Sequence, residues 1–342
     1  MTAPTDHATE AHAEQASPLS HRLFGAQARQ KLLAFLSLIL LIAFFSFAKP
    51  DAFAQMDNFL AILQATAVVG VLGVASTFPI ITAGIDLSVG TLMTFCAVMA
   101  GVFLTYWGLP MWIGVLASIG TGALCGAISG VLIAKLKIPP FIATLGMMWA
   151  VKGLSLVVSG TKPIYFNDTP NFYMISQASI VGDVIPAAPV PNGALILLVV
   201  AVLATVILNR TALGRYTFAL GSNEEAARLS GVNVDAWKIA VYCLTGAIVG
   251  VGGLIIASRL NSAQPALGQG YELEAIAAVV IGGTSLSGGT GTILGTIIGA
   301  FIMNVLTNGL RIMSVAQEWQ TVVTGVIIIL AVYADILRRQ RA

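Results

Sequence analysis

Residues 59–83, FLAILQATAVVGVLGVASTFPIITA, run for 25 residues without a charged side chain and end against Gly84-Ile85-Asp86. Roughly 20 apolar residues in a helix cross the hydrocarbon core of a bilayer. Lipid offers the backbone no hydrogen bonds, so a single segment crossing it satisfies its own amides only as a helix. Nine further apolar segments flank this one, at 32–48, 87–107, 111–134, 138–159, 193–208, 237–258, 273–282, 292–310 and 319–337. The chain of 342 residues is 57% hydrophobic and 9% charged, against about a quarter charged in a soluble domain. The fold class is therefore all-α, a polytopic transmembrane helical bundle of about ten spans in contact with membrane lipid. Net charge is only +2, which gives no electrostatic footprint for nucleic acid.

Met1 to Gln30 is rich in Ala, Thr, Glu and His without an apolar period, and is expected to be a disordered cytoplasmic tail, with residues 31–342 forming the membrane domain. Ala52-Phe53-Ala54 resembles a signal-peptidase site, but the long preceding tail and apolar run favour a retained first helix. The longest connection, Gly160 to Pro191, carries five prolines with Asn167 and Asp168; this is turn chemistry and reads as an extramembrane loop. Positive residues flanking spans stay cytoplasmic. With the amino terminus inside, twelve of the 17 Lys and Arg lie on the cytoplasmic side, Arg210, Arg215, Arg228 and Lys238 among them, and four outside. Both termini are expected in the cytoplasm.

Chemistry is sparse within the spans. All three histidines, His7, His12 and His21, precede the first apolar run, and Cys96, Cys125 and Cys243 are scattered without CxxC spacing. No metal site, catalytic residue or cofactor is expected, and no intramembrane carboxylate cluster suggests proton coupling. Lys152 is the one obvious charge inside a span, close enough to its outer end for the stem to snorkel. No GxxxxGK[ST] loop occurs and Gly-Lys is absent from the chain, so energy from ATP requires a separate subunit.

Three features are candidates for function. Gly221-Ser222-Asn223-Glu224-Glu225-Ala226-Ala227-Arg228-Leu229-Ser230-Gly231 reads as a short helix capped by Ser222 or Asn223, with Glu224 and Glu225 in its first turn where the dipole favours them. It suits a groove on a partner protein, or equally a bed of lipid headgroups. Gly84–Thr91 and Gly283–Thr290 share the pattern G-x-x-L-S-x-G-T. Each follows an apolar segment and opens another, with Asp86 and Ser285 placed to cap, and Ser88, Thr284 and Ser287 beside them. The segment before the second turn is too short to span, and short Gly-interrupted segments point to a translocation path; helix capping explains both turns as well. Asn304 and Asn308 share one helix face at i, i+4, and bond either a neighbouring helix or a sugar hydroxyl. Ahead of the second turn in the sequence lies the polar outer connection Arg259–Glu274, where Glu272 and Glu274 suit a helix start.

The stretches GIDLSVG (84–90), PPFIATLGMM (139–148), ALGRYTFALGSNEEAARLSGVNV (212–234) and SAQPALGQGYELEAIAAVVIGGTSLSGG (262–289) carry a resemblance to the ribose/xylose/arabinose class of ABC-importer permeases, covering nearly everything after residue 55. The resemblance implies a type II importer permease that moves a monosaccharide, ribose first, across the inner membrane. It further implies a second permease copy, most simply a homodimer, an ABC ATPase subunit and a periplasmic sugar-binding protein. Gly221, Asn223, Glu224, Glu225, Ala226, Arg228 and Gly231 would then couple the permease to that ATPase. An ion-coupled secondary sugar transporter, working as a single chain, and a polytopic membrane enzyme are the rival readings.

Overall fold

The structure is a computed structural model that describes residues 18–186 and 188–340; of the side chains it describes those from 32 onward, except 187, 334, 335 and 337–342. Each of the ten apolar segments is helical. The order is α1 (Pro18–Ala48), the short α2 (Pro50–Phe53), α3 (Met56–Ile81), α4 (Val89–Gly101, continued by a π-helical turn to Tyr106), α5 (Met111–Ala134), α6 (Pro140–Ser159), α7 (Ile180–Val184), α8 (Asn192–Arg210), α9 (Ala212–Ser222), α10 (Glu224–Leu229), α11 (Val234–Leu260), α12 (Tyr271–Ile281), α13 (Ile293–Ile312) and α14 (Gln317–Gln340). Among the described residues, seven helices are long and apolar enough to cross a membrane: α3, α4 with its π turn, α5, α6, α8, α11 and α13. The apolar parts of α1 (Leu32–Ala48) and α14 (Gln317–Tyr333) are shorter, and α12 has 11 residues.

Helix α1 begins at Pro18, inside the stretch expected to be a disordered tail. Proline suits a first helical turn, and Leu19, Leu23 and Phe24 join onto the apolar run, so the helix boundary lies upstream of residue 31. Residues 1–17 of that tail lie outside the described residues.

Helices α3, α4 and α11 supply the centre. Val71, Leu72, Val74, Ala75, Phe78 and Val89 have no accessible surface, and α3 is buried around its whole circumference from Thr66 to Ile81. A helix apolar on all sides belongs inside the bundle rather than at its rim. By contrast α6 and α8 expose Trp149, Val157, Leu198 and Val202, the faces that meet lipid or another chain. Helices α5 and α11 cross backbone to backbone: a Cβ on Gly122 would strike the Gly246 carbonyl, and one on Gly126 the Tyr242 carbonyl. Small residues permit this close approach, and packing drives helix association in lipid.

The long connection Gly160–Pro191 is more ordered than turn chemistry suggests. Strand β1 (Ile164–Tyr165) pairs antiparallel with β2 (Ser262–Ala263), Ile164 opposite Ala263. The Phe166 and Phe172 rings stack at 3.8 Å, and Ser258 Oγ donates to the Phe172 carbonyl at 2.9 Å. The connection is thus pinned to the end of α11.

Candidate functional site

The two glycine-bounded turns fold differently from one another. In the first, Asp86 is buried, and its Oδ1 accepts from Ser88 N (2.9 Å) and Ser88 Oγ (2.6 Å). Ser88, not Asp86, occupies the cap position of α4, and it caps without a side-chain bond. The turn rises along α6, where Thr144 Oγ1 accepts from Leu87 N and donates to the Ile85 carbonyl. In the second turn Ser285 lies well before the helix, since Gly288 and Gly289 take positive φ of 84° and 74° and add a tight bend. Thr292 caps α13 instead, accepting from Gly295 N. The expected capping roles of Asp86 and Ser285 are therefore corrected to Ser88 and Thr292. Thr284 is buried with an unpartnered hydroxyl, and Ser287 is exposed. Asn308 Nδ2 donates to Asn58 Oδ1 at 2.9 Å, joining α13 to α3, while Asn304 turns back to the Ala300 carbonyl.

The cytoplasm-predicted loop is a helical hairpin. Thr211 caps α9, Asn223 in extended conformation ends it, and the Asn223 side chain caps α10 by accepting from Ala226 N at 2.9 Å. The inner face of α10 is Ala227, buried with Leu220 and Val234. Glu224 is not free: its carboxylate meets Lys238 Nζ at 2.6 Å and Arg228 at 3.3 Å. Partial burial opposes its charge, but these two cations outweigh that and hold its carboxyl below the usual glutamate value. Asp235 and Lys137 pair at 2.9 Å, tying the hairpin's foot to the α5–α6 connection. Glu225, Ala226 and Leu229 face outward, Leu229 with 81% of its surface exposed. Leu229 escaped the sequence reading because a leucine in a short helix is ordinarily an inner-face residue.

The two features meet at one junction. Gly289 N donates to the Ile81 carbonyl at 2.9 Å, and a Cβ on Gly221 would collide with that same carbonyl and with Gly289 N. The end of α9, the end of α3 and the second turn thus approach at backbone contact distance.

A family model described as "branched-chain amino acid transport system / permease component" matches residues 58–332. The chain belongs to that family. This permease component is 41% identical to the ribose import permease protein of Haemophilus influenzae, over 88% of this chain and 92% of that protein. It is 39% identical to the fructose import permease protein of Rhizobium meliloti, over 93% of this chain and 87% of that protein. It is 31% identical to the xylose transport system permease protein of Haemophilus influenzae, over 91% and 97%. No solved structure matches. The relatives are permeases, so this chain is a transport-system permease rather than an enzyme.

Proposed function

We propose that this permease component forms the membrane path of an ATP-driven importer for a neutral monosaccharide, ribose first, with a periplasmic binding protein delivering the sugar and a separate ATPase docking on the α9–α10 hairpin. The relatives that import ribose, fructose and xylose support the substrate class. The carrying observation for coupling is the hairpin itself. Its inner side is bonded to the bundle, and its outer side offers Glu225 and Leu229 to a partner. In this reading Gly221, Asn223, Ala226 and Gly231 shape the hairpin while Glu224 and Arg228 brace it. Helices α1, α3, α4, α5, α6, α8, α11, α13 and α14 cross the inner membrane, α12 enters it as a half-span, and both termini are cytoplasmic. Two copies of the permease enclose the path. Asp86, Ser88, Thr284, Ser285 and Ser287 belong to turns that shift as the path opens.

The test uses Glu225→Arg together with Leu229→Arg, both on the outward face. Co-purification with the ATPase should fall at least tenfold while membrane abundance is unchanged. Normal assembly and uptake by the double variant would remove the hairpin as the docking element.

A further inference from the structure

Lys152, expected to snorkel, has a protein partner in the structure. Its Nζ donates to Gln269 Oε1 at 2.8 Å and lies 4.9 Å from the centre of the Trp149 ring. It stands seven residues before α6 ends at Ser159. Gly253 of α11, which packs on Met93 and Ala97 of α4, stands seven before Leu260. At 1.5 Å per residue Lys152 and Gly253 each lie about 10 Å inside the ends of α6 and α11. The connection 264–270 descends to that level, where Gly268 and Gly90 touch backbone to backbone, and α12 starts there. Irregular backbone at depth is tolerated where it lines a cavity or is buried in protein.

Two spaces meet at this point. A cavity of about 450 Å³ lies between the end of α6 and residues 264–267, lined by Leu156, Thr161 and Gln264 among others. Adjoining it, and sharing Pro265 and Ala266, is a niche lined by Thr91, Thr94, Lys152, Gly268 and Gln269 that is shut in this structure, with no room for a water molecule. The Lys152–Gln269 bond closes it. Thr94 is 4% exposed, and its hydroxyl has no partner although it lines the niche. Unpartnered buried hydroxyls are rare because each costs a lost hydrogen bond with water.

We propose that Thr94, Lys152 and Gln269 form a hydroxyl-binding subsite for a neutral monosaccharide arriving in the adjoining 450 Å³ cavity, a subsite that admits a hydroxyl when the Lys152–Gln269 bond, closed in this structure, gives way. This rests on the sugar-import reading above. An ammonium donates three hydrogen bonds, an amide donates and accepts, and a hydroxyl does both, which together match adjacent sugar hydroxyls. The Glu272 carboxylate, 6% exposed and accepting from Gly270 N at 3.0 Å, lies against Gly90 at the start of α4 and disfavours an anionic substrate there.

The test is uptake of labelled ribose by the permease reconstituted with its ATPase and a saturating concentration of its binding protein. Saturation removes the binding protein's own affinity from the comparison. Lys152→Met and Gln269→Ala should each lower uptake at least tenfold, with ATP hydrolysis kept within twofold, and Lys152→Arg should restore at least a third. Thr94→Val separates transport from folding: removing an unpartnered buried hydroxyl leaves thermal stability equal or higher, yet uptake should fall about fivefold. Wild-type uptake with all three variants within twofold of it would overturn the subsite alone. If the wild type accumulates no ribose, xylose or fructose, the sugar reading fails first and the subsite with it.

Discussion

Gly221 has no Cβ because the Ile81 carbonyl occupies the space one would need. Gly221→Ala keeps an allowed helical conformation but forces α9 away from α3 and from Gly289. Overpacking of this kind costs about 1–3 kcal/mol. The expected result is a lower Tm in detergent together with ATP hydrolysis that no longer drives uptake; an unchanged Tm would show that the junction yields freely. Glu224 allows a second residue-scale prediction. Its folded carboxyl titrates lower than in the unfolded chain, held by Lys238 and Arg228. Its stabilising contribution is therefore complete above the unfolded value of about 4.3 and is lost as pH falls through the folded value. The side chain is 41% exposed, so the effect is small, about 0.2–1 kcal/mol. Protection factors for hydrogen exchange in residues 224–231 should drop across that acid window, and Glu224→Gln should show the lower protection at neutral pH. Protection that is independent of both pH and Glu224 would contradict the bracing role. At this scale the sequence discloses residue type but not partner. The acidic first turn of α10 was legible, whereas the hold of Lys238 on Glu224 depends on how α11 leaves the hairpin.

Elements were more legible than contacts, because a lipid-crossing segment announces itself by length and absence of charge. All ten apolar segments are helices, and among the described residues seven are long and apolar enough to cross a membrane. Helix α9 was missed, since its mixture of Arg215, Thr217 and apolar residues has neither the length of a span nor the run of a surface helix. The descent of 264–270 was missed too, because depth in the bundle leaves no mark on a polar, glycine-rich stretch. The α5–α11 crossing shows what spacing alone leaves open. Gly114, Gly122, Gly126 and Gly130 all recur at multiples of four on α5, yet Gly114 packs on Leu104 while Gly122 and Gly126 meet α11. Gly126→Leu should separate these helices, losing most of the folded protein from the membrane. Gly120→Leu, on the same helix with nothing within 4 Å of its Cβ position, should leave abundance unchanged. Equal loss from both would mean that helical flexibility, not the crossing, is what the glycines provide.

For the whole molecule, orientation is the first quantity to check. The bias of positive charge toward one side, with the Gly160–Pro191 connection and the α9–α10 hairpin at opposite ends of α8, predicts that a reporter fused after Asn171 is periplasmic and one after Asn223 cytoplasmic. Both on one side would defeat the proposed arrangement of spans. The larger claim is that energy enters from a separate ATPase through the hairpin, the Gly221–Ile81–Gly289 junction and the two turns. The most direct measurement is accumulation of labelled ribose in liposomes holding the permease, its ATPase and external binding protein, with ATP inside and no ion gradient. Accumulation should require ATP and be abolished by omitting the ATPase. Accumulation by the permease alone, driven by a proton or sodium gradient, would contradict it.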